Sequence, residues 1–421
     1  FTVDVTGLQT FPARYPVAAP DARRPGTLLT TQAQWAWHSV PAPVPTPTLA
    51  GSVREYDSPR GPVGYVDLPG ECRPDQAWLR ANPHRLDLAR IGLVLADGTP
   101  PPAGPCEVRQ RLDLWTGVIT SSLRLAGAPV HTVTCCHPHR DVLGIRVVSP
   151  GLAEGRLAIR LAFPYGARSW SNAADWDRPA DHRSSVRVEK TGYRIDRELD
   201  DTRFVVRVVV GAGTTLRRRG PHEFVLHGSG DSGGDGAGGA LELAVEFVRD
   251  TDTDTAPLGF ADVLAASEAH WPRFWSSGGA VDLSGSTDAR ALELQRRIVL
   301  SQYLTAIQCA GSLPPAETGL SGNSWRGRFH LEMHWWHAAH FPLWGRAELL
   351  ERAMAWYPRA LDRARETARR QGYVGARWPK QVGHDGRESP SPIGPFLLWQ
   401  QPHPIYLAEL IRRGLGDGDH Q

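Results

Sequence analysis

Lysine, cysteine and methionine are the scarce residues of this 421-residue chain: it has two Lys, five Cys and two Met. Cys72, Cys106, Cys135, Cys136 and Cys309 are too few and too scattered for a disulfide framework, and no Cys-x-x-Cys pair offers a structural zinc knuckle. They read as buried thiols, with Cys135 and Cys136 facing opposite sides if they lie on a strand. No apolar run reaches the length that crosses a bilayer, and the mean hydropathy is -0.34, so a soluble protein without a membrane partner is expected. Charge of either sign is also missing as an excess. Lys+Arg of 47 against Asp+Glu of 45 leaves +2, and no basic tail or stripe stands apart, which argues against a nucleic-acid partner. No charged-then-apolar leader precedes the first residues, and a cytoplasmic location is the expectation.

What the sequence does have is tryptophan, glycine and proline: 15 Trp against 11 Phe and 9 Tyr, with 43 Gly and 35 Pro. Indole is the side chain that stacks best on the flat apolar faces of sugar rings, a first pointer to carbohydrate. The preference of arginine over lysine reads as a genomic composition bias and carries no functional message.

The length favours two domains. From Val108 to Phe247, apolar residues alternate with polar or small ones in short runs punctuated by Gly, Pro and Asp, the pattern of antiparallel strands with one buried face. The run Gly228–Gly239 (GSGDSGGDGAGG) reads as a hairpin tip between two strands. After Asp250–Pro257 the period changes to that of helices, over 260–275, 289–308, 331–344, 348–371 and 404–413. The second of these carries so few polar positions that it should be buried. The expected fold is therefore β + α and multidomain: an N-terminal antiparallel β-sandwich over 1–255, a helical linker over 256–285 and a helical domain over 286–421.

The densest chemistry lies in 317–344 (ETGLSGNSWRGRFHLEMHWWHAAHFPLW). A glycine-rich approach through Gly319, Gly322 and Gly327 leads into a helix, an arrangement that lets a ligand come close to backbone. On a helical wheel His330, His334 and His337 share a face. Their spacing along one helix nevertheless converges poorly on an ion and differs from His-Glu-x-x-His, so no metal is expected. Glu332 falls on the other face, toward Arg328 and Trp336, where a buried carboxylate needs a partner or a ligand hydroxyl. A second cluster runs from Gly375 to His403, a loop rich in Pro and Gly that carries Lys380, Gln381, Glu388, Gln400, Gln401 and His403; long loops of this kind are usually functional. The stretch Phe163–Trp176 could lean over the same pocket.

At these residues the chain resembles glycoside hydrolase family 65 and its relatives in the six-hairpin glycosidase superfamily, as a divergent subgroup. The resemblance rests on Gly319-Leu320-Ser321-Gly322, on Trp325-Arg326-Gly327 followed by 329–336, on Gly375-Ala376-Arg377-Trp378-Pro379 and on Leu112-Asp113-Leu114-Trp115-Thr116-Gly117. It implies a β-sandwich, a helical linker and an (α/α)6 barrel, and about four helices after residue 285 leave that barrel incomplete. Laid on from Arg326-Gly327, it puts Leu331 in the place of the family's Trp, Glu332 in that of its Asp and His334 in that of its Glu, the positions that bind sugar beside the cleaved bond. The family's catalytic acid lies in a later segment that has no counterpart here.

The function expected from all this is a glycoside hydrolase acting on an α-glycosidic bond with inversion, in which an acid protonates the leaving oxygen while water attacks the opposite face. The alternatives are an inverting disaccharide phosphorylase and a non-catalytic carbohydrate-binding protein. Substrate contacts are expected from Trp325, Arg328, Glu332, His334, Trp335, Lys380, Gln381, Gln400, Gln401 and His403. Glu332 and Glu388 are the weak candidates for the acid. No cofactor is expected, and a homodimer is left open as the assembly.

Overall fold

The computed structural model describes residues 32–68, 72–99, 101, 108–170, 172–228, 239–320 and 323–416, with the backbone of two short strands, Val3–Asp4 and Leu28–Leu29. Cys106, residues 229–238 of the glycine-rich tip, and Ser321 and Gly322 lie outside the described residues. Its helices in chain order are α1 (Pro74–Ala81), α2 (Pro150–Ala153), α3 (Phe260–Ser276), α4 (Ala291–Cys309), α5 (Leu331–Ala338), α6 (His340–Leu343), α7 (Ala347–Met354), α8 (Trp356–Arg370) and α9 (His403–Leu415). Among the described residues, none is long and apolar enough to cross a membrane.

The chain gathers into two compact units. A two-sheet unit comprises Asp87–Tyr165 and Ala174–Ser276, and a helical unit comprises Thr2–Leu86, Gly166–Ala173 and Ser277–Gln421. This division cuts across the expected boundaries at 255 and 285. The N-terminal stretch joins the helices, and the expected linker helix α3 joins the sheets.

The two-sheet unit holds an antiparallel sheet of eight strands in the order His182–Glu189, Gly192–Leu199, Thr202–Val210, Gly239–Arg249, Val142–Ser149, Ala128–Cys136, Val118–Leu125, Arg109–Asp113. A second sheet runs Thr215–Gly220, Glu223–His227, Leu157–Ala162, Arg90–Leu95. The strands on either side of the glycine-rich tip, Glu223–His227 and Gly239–Arg249, belong to different sheets and so are not the paired strands of the expected hairpin. Phe163, Phe204 and Phe224 are buried, and the rings of Phe163 and Phe224 meet edge to face at 6.0 Å. On the large sheet Phe260 and Val263 of α3 pack against Cys135, Val142 and Ala244. Ser267 Oγ donates to Thr116 O at 2.8 Å and Trp275 Nε1 to Leu114 O at 2.6 Å, which ties α3 to the loop before Val118–Leu125. Gly117 sits there at φ +69°, and a Cβ on it would lie 2.1 Å from Trp271 Nε1, so only glycine admits that indole. Cys135 points in and Cys136 out, as strand alternation requires, and with Cys72 also exposed the expectation of uniformly buried thiols fails.

In the helical unit, α8 shows why it folds as it does: Trp356, Tyr357, Ala360, Ala364, Thr367 and Ala368 make one buried stripe at three- and four-residue spacing, with arginines and acids on the other side. That stripe packs with Trp37, Phe329, Leu331, Trp378 and Val382 into one core. Trp37 is the reason the N-terminal stretch belongs here. Two expected helices are each broken in two. The first breaks between α5 and α6, close to Pro342, and the second at Ala355, because Pro358 starts a new helix in its first turn. Helix α4 is the larger departure. Leu292, Leu294, Leu304 and Ile307 are exposed, and only Ala291, Tyr303 and Cys309 are buried.

Candidate functional site

The site begins with backbone. Trp325, Arg326 and Gly327 have φ of 49°, 63° and 71°, three left-handed residues in a row. Two of them carry side chains, at a cost of order 1 kcal/mol each, so the surroundings must hold the turn in place. Arg326 N donates to Trp170 O at 3.0 Å and Arg326 Nε to Arg168 O at 3.0 Å. A Cβ at Gly327 would lie 2.6 Å from Arg85 Cβ. The turn presents the Trp325 ring 5.6 Å from Trp170, 5.7 Å from His330 and 5.0 Å from Lys380 Nζ. Of the stretch 163–176, Arg168 and Trp170 thus reach the candidate site.

The chain then runs extended, and the two sequence clusters meet as a two-stranded clip in which Phe329 pairs with Val382 and His330 with Gln381. Leu331 N donates to Lys380 O at 2.9 Å. This register sets Lys380 Nζ 3.0 Å from Glu332 Oε1, with side-chain exposures of 8% and 11%. Glu332 therefore pairs with Lys380 and not toward Arg328, as the wheel had it. The wheel fails because His330 is in a strand and α5 starts only at Leu331.

Each histidine is engaged. His330 Nδ1 lies 3.2 Å from Arg328 O and its Nε2 3.2 Å from Gln381 Nε2, which fits the neutral tautomer with Nδ1 as donor. Burial, helped by the Lys380 ammonium, depresses its pKa to about 3, so Glu317 Oε2, 3.8 Å from Nε2, faces a neutral ring. His334 Nδ1 is 2.9 Å from Tyr357 OH, and burial takes it to about 3 as well. His337 Nε2 donates to Glu317 O at 3.0 Å, and His403 Nδ1 lies 3.1 Å from Leu331 O. Among the described residues no group of three or more His, Cys, Asp or Glu side chains is placed to hold a metal ion.

The remaining expected contacts separate. Arg328 is 1% exposed and donates from Nη2 to Leu79 O at 2.9 Å and to Asn82 O, while burial lowers its pKa to about 9. Gln401 holds the backbone of Trp378 at both ends of its amide, accepting from N at 2.8 Å and donating to O at 2.9 Å. Gln400 Nε2 donates to Leu397 O at 2.6 Å and Trp378 O at 3.1 Å. Trp335 is half-buried against Trp336 and Tyr406. Glu388 forms its own ion pair with Arg370, and burial outweighs that arginine to raise its carboxyl to about 7. The structure thus assembles Trp325, Glu332, Lys380 and Gln381 in one group, with His403 bonded to the backbone of Leu331, next to Glu332, and His334 to Tyr357. It holds Arg328, Gln400, Gln401 and Glu388 in other contacts. Sequence reading held Trp170 within the stretch 163–176, but it did not single out Glu317 and missed Tyr357. Glu317 was within reach, as the first residue of the segment singled out, but Tyr357 had no local signal.

An ammonium over the face of an indole can donate to hydroxyls, and the carboxylate paired with it can accept from them, while the ring covers C–H surface, the combination that suits a sugar.

No protein-family model matches the chain, and no curated protein does. Solved structures do. One described as a candidate kojibiose phosphorylase from the human microbiome superposes on 78% of this chain and 46% of its own, with a TM-score of 0.54 at 12% identity. A bacterial glucoamylase complexed with acarbose gives a TM-score of 0.46 at 8% identity over 79% of this chain and 51% of its own. The chain thus spans about half the length of either structure. At 12% identity the first likeness is one of fold alone.

Proposed function

We propose that the chain binds a sugar at Trp325, Glu332 and Lys380 as part of an inverting enzyme acting on α-glycosidic bonds, with its helical unit forming part of an (α/α)6-type barrel. The observation that carries this reading is the Lys380–Glu332 pair, 3.0 Å apart and nearly buried, with Lys380 Nζ 5.0 Å from the centre of the half-buried Trp325 ring. A left-handed turn that is costly to hold and a buried ion pair that is costly to desolvate meet at one place, which is where binding sites store such costs. In the proposed complex Glu332 Oε2 and the Lys380 ammonium bind adjacent sugar hydroxyls and Trp325 stacks on the ring. Inversion would need an acid on one face of the bond and water or phosphate on the other. Phosphate as the attacking group is the second reading, favoured by the fold likeness to a candidate kojibiose phosphorylase.

The test is equilibrium binding of α-linked glucose disaccharides by the full chain, followed by tryptophan fluorescence. The expected result is saturable binding that Glu332→Gln and Trp325→Ala each weaken about tenfold or more. Product analysis with and without inorganic phosphate separates hydrolysis from phosphorolysis, and a first product of β configuration marks inversion. Binding unaffected by both substitutions sinks the assignment.

A further inference from the structure

A second group of polar side chains stands around empty space elsewhere in the helical unit. The end of α8 and the loop carrying Trp378 and Glu388 enclose a half-open cleft with room at its floor for about one water molecule. Tyr65 and Trp378 give it aromatic wall. Three side-chain atoms of its lining residues are buried without a hydrogen-bond partner: the acceptors Gln371 Oε1 and Gln400 Oε1, and the donor Arg377 Nε. Gln371 is 7% exposed and Gln400 2%. An unfilled buried acceptor costs about 1 to 3 kcal/mol, so two beside one cleft point to something that fills them.

Charge narrows what that is. Arg377 lines the cleft, Arg370 is paired with Glu388, and Glu388 supplies the opposing carboxylate. Two guanidiniums against one carboxylate disfavour a cation, and two unfilled carbonyl oxygens disfavour an anion. Hydroxyl groups, which donate and accept at one atom, satisfy both kinds of lining atom at once.

We propose that this cleft binds the hydroxyl-bearing edge of a neutral sugar or polyol, one hydroxyl reaching the floor between Gln371 and Gln400, at a site separate from Trp325 and Glu332. The proposal stands on the cleft alone and does not need the reading made at Trp325.

The experiment titrates the full chain with D-glucose, followed by ligand-observed saturation-transfer NMR, and compares Gln371→Leu with Glu332→Gln. A component of glucose binding should survive Glu332→Gln and weaken about tenfold in Gln371→Leu, whose circular dichroism should match wild type. Glucosamine, a cationic probe, should bind no tighter than glucose. A glycerol-soaked crystal should place a hydroxyl within hydrogen-bond distance of Gln371 Oε1 and Gln400 Oε1, a readout that does not depend on the variant folding. Glucose binding abolished by Glu332→Gln and untouched by Gln371→Leu overturns the proposal. So does tighter binding of glucosamine, or a floor holding a lone water that glycerol does not displace. Loss in Gln371→Leu with no effect of Glu332→Gln would uphold this cleft while sinking the Trp325 site.

Discussion

Two buried carboxylates, one in each unit, are held in opposite ways. Glu246 of the two-sheet unit has two arginines: Arg140 Nη2 at 2.5 Å from Oε1 and Arg207 Nη1 at 3.3 Å from Oε2. Glu332 of the helical unit has one lysine, at 3.0 Å. A carboxylate with both oxygens matched to guanidiniums is a pin in the fold, with little left to offer a ligand. One held at a single oxygen by a single ammonium keeps capacity for another partner, and depends wholly on the one it has. The surfaces differ in the same sense. Large apolar residues are exposed in quantity on the helical unit, among them Leu343, Ile405, Phe396 and Trp336, whereas the two-sheet unit exposes few, such as Val188 and Trp115.

The sharpest way to break this comparison is to remove one cation from each carboxylate. Lys380→Met should cost about 3 to 5 kcal/mol in urea unfolding of the helical unit, because it strands Glu332. Arg140→Met should cost about 1 kcal/mol, since Arg207 remains on Glu246. Equal losses would erase the distinction.

Acid should separate the units next. Burial lowers His84, His330 and His334 of the helical unit to about 3, and in the two-sheet unit it takes the half-buried His182 to about 3. A histidine depressed in the folded state is protonated first in the unfolded chain, so its contribution is intact above pH 6.5 and is lost progressively as pH falls toward 3. By pH 5 that loss is about 2 kcal/mol per fully buried ring, and less for His182. Glu388, raised to about 7 by burial, acts in the opposite direction: the fold gains from it as pH falls through 7 toward 4.5, which offsets about one histidine. Hydrogen exchange at pH 7.5 and 5, read on α8 and on the strand Gly239–Arg249, should show the helical unit losing about 2 kcal/mol more. A larger loss in the sheets would contradict this.

Backbone strain gives a smaller effect. Ala126 sits at φ 49° beside Gly127 in the turn between the strands Val118–Leu125 and Ala128–Cys136, and Ala126→Asn should raise the stability of the two-sheet unit by about 1 kcal/mol. No change in the thermal midpoint would remove strain from the account of that turn. Smallest of all, Leu343→Lys with Ile405→Lys, at positions 76% and 77% exposed, should alter stability by no more than about 0.5 kcal/mol while reducing self-association in light scattering.

The parts of this fold that were legible in the sequence are those whose periodicity is complete within a few residues. Val142–Ser149 alternates well enough to be read as a strand, and α8 repeats its alanines on one side. Residues 32–86 were not legible, because their strands are two to four residues long and set among prolines, and only the burial of Trp37 among Phe329 and Trp378 shows where they belong. Helix α4 misled for the opposite reason: its apolar residues are plain in the sequence, but composition does not say whether anything covers them. At the site, the residue types in the two clusters were legible and their pairing was not. Whether Glu332 meets Arg328 or Lys380 depends on where the helix begins and on the strand register with Gln381, neither of which is written in the local pattern.

The clip between Phe329–His330 and Gln381–Val382 also bears on how the molecule comes together. His330 and Gln381 are 51 positions apart, so closing it restricts a long loop and brings little compensation until α7 and α8 have folded within that loop. Lys380 can reach Glu332 only after that closure. The binding group is therefore a late arrival in folding, and a ribosome-bound chain released before residue 382 would carry the tryptophan turn with nothing to stand beneath it.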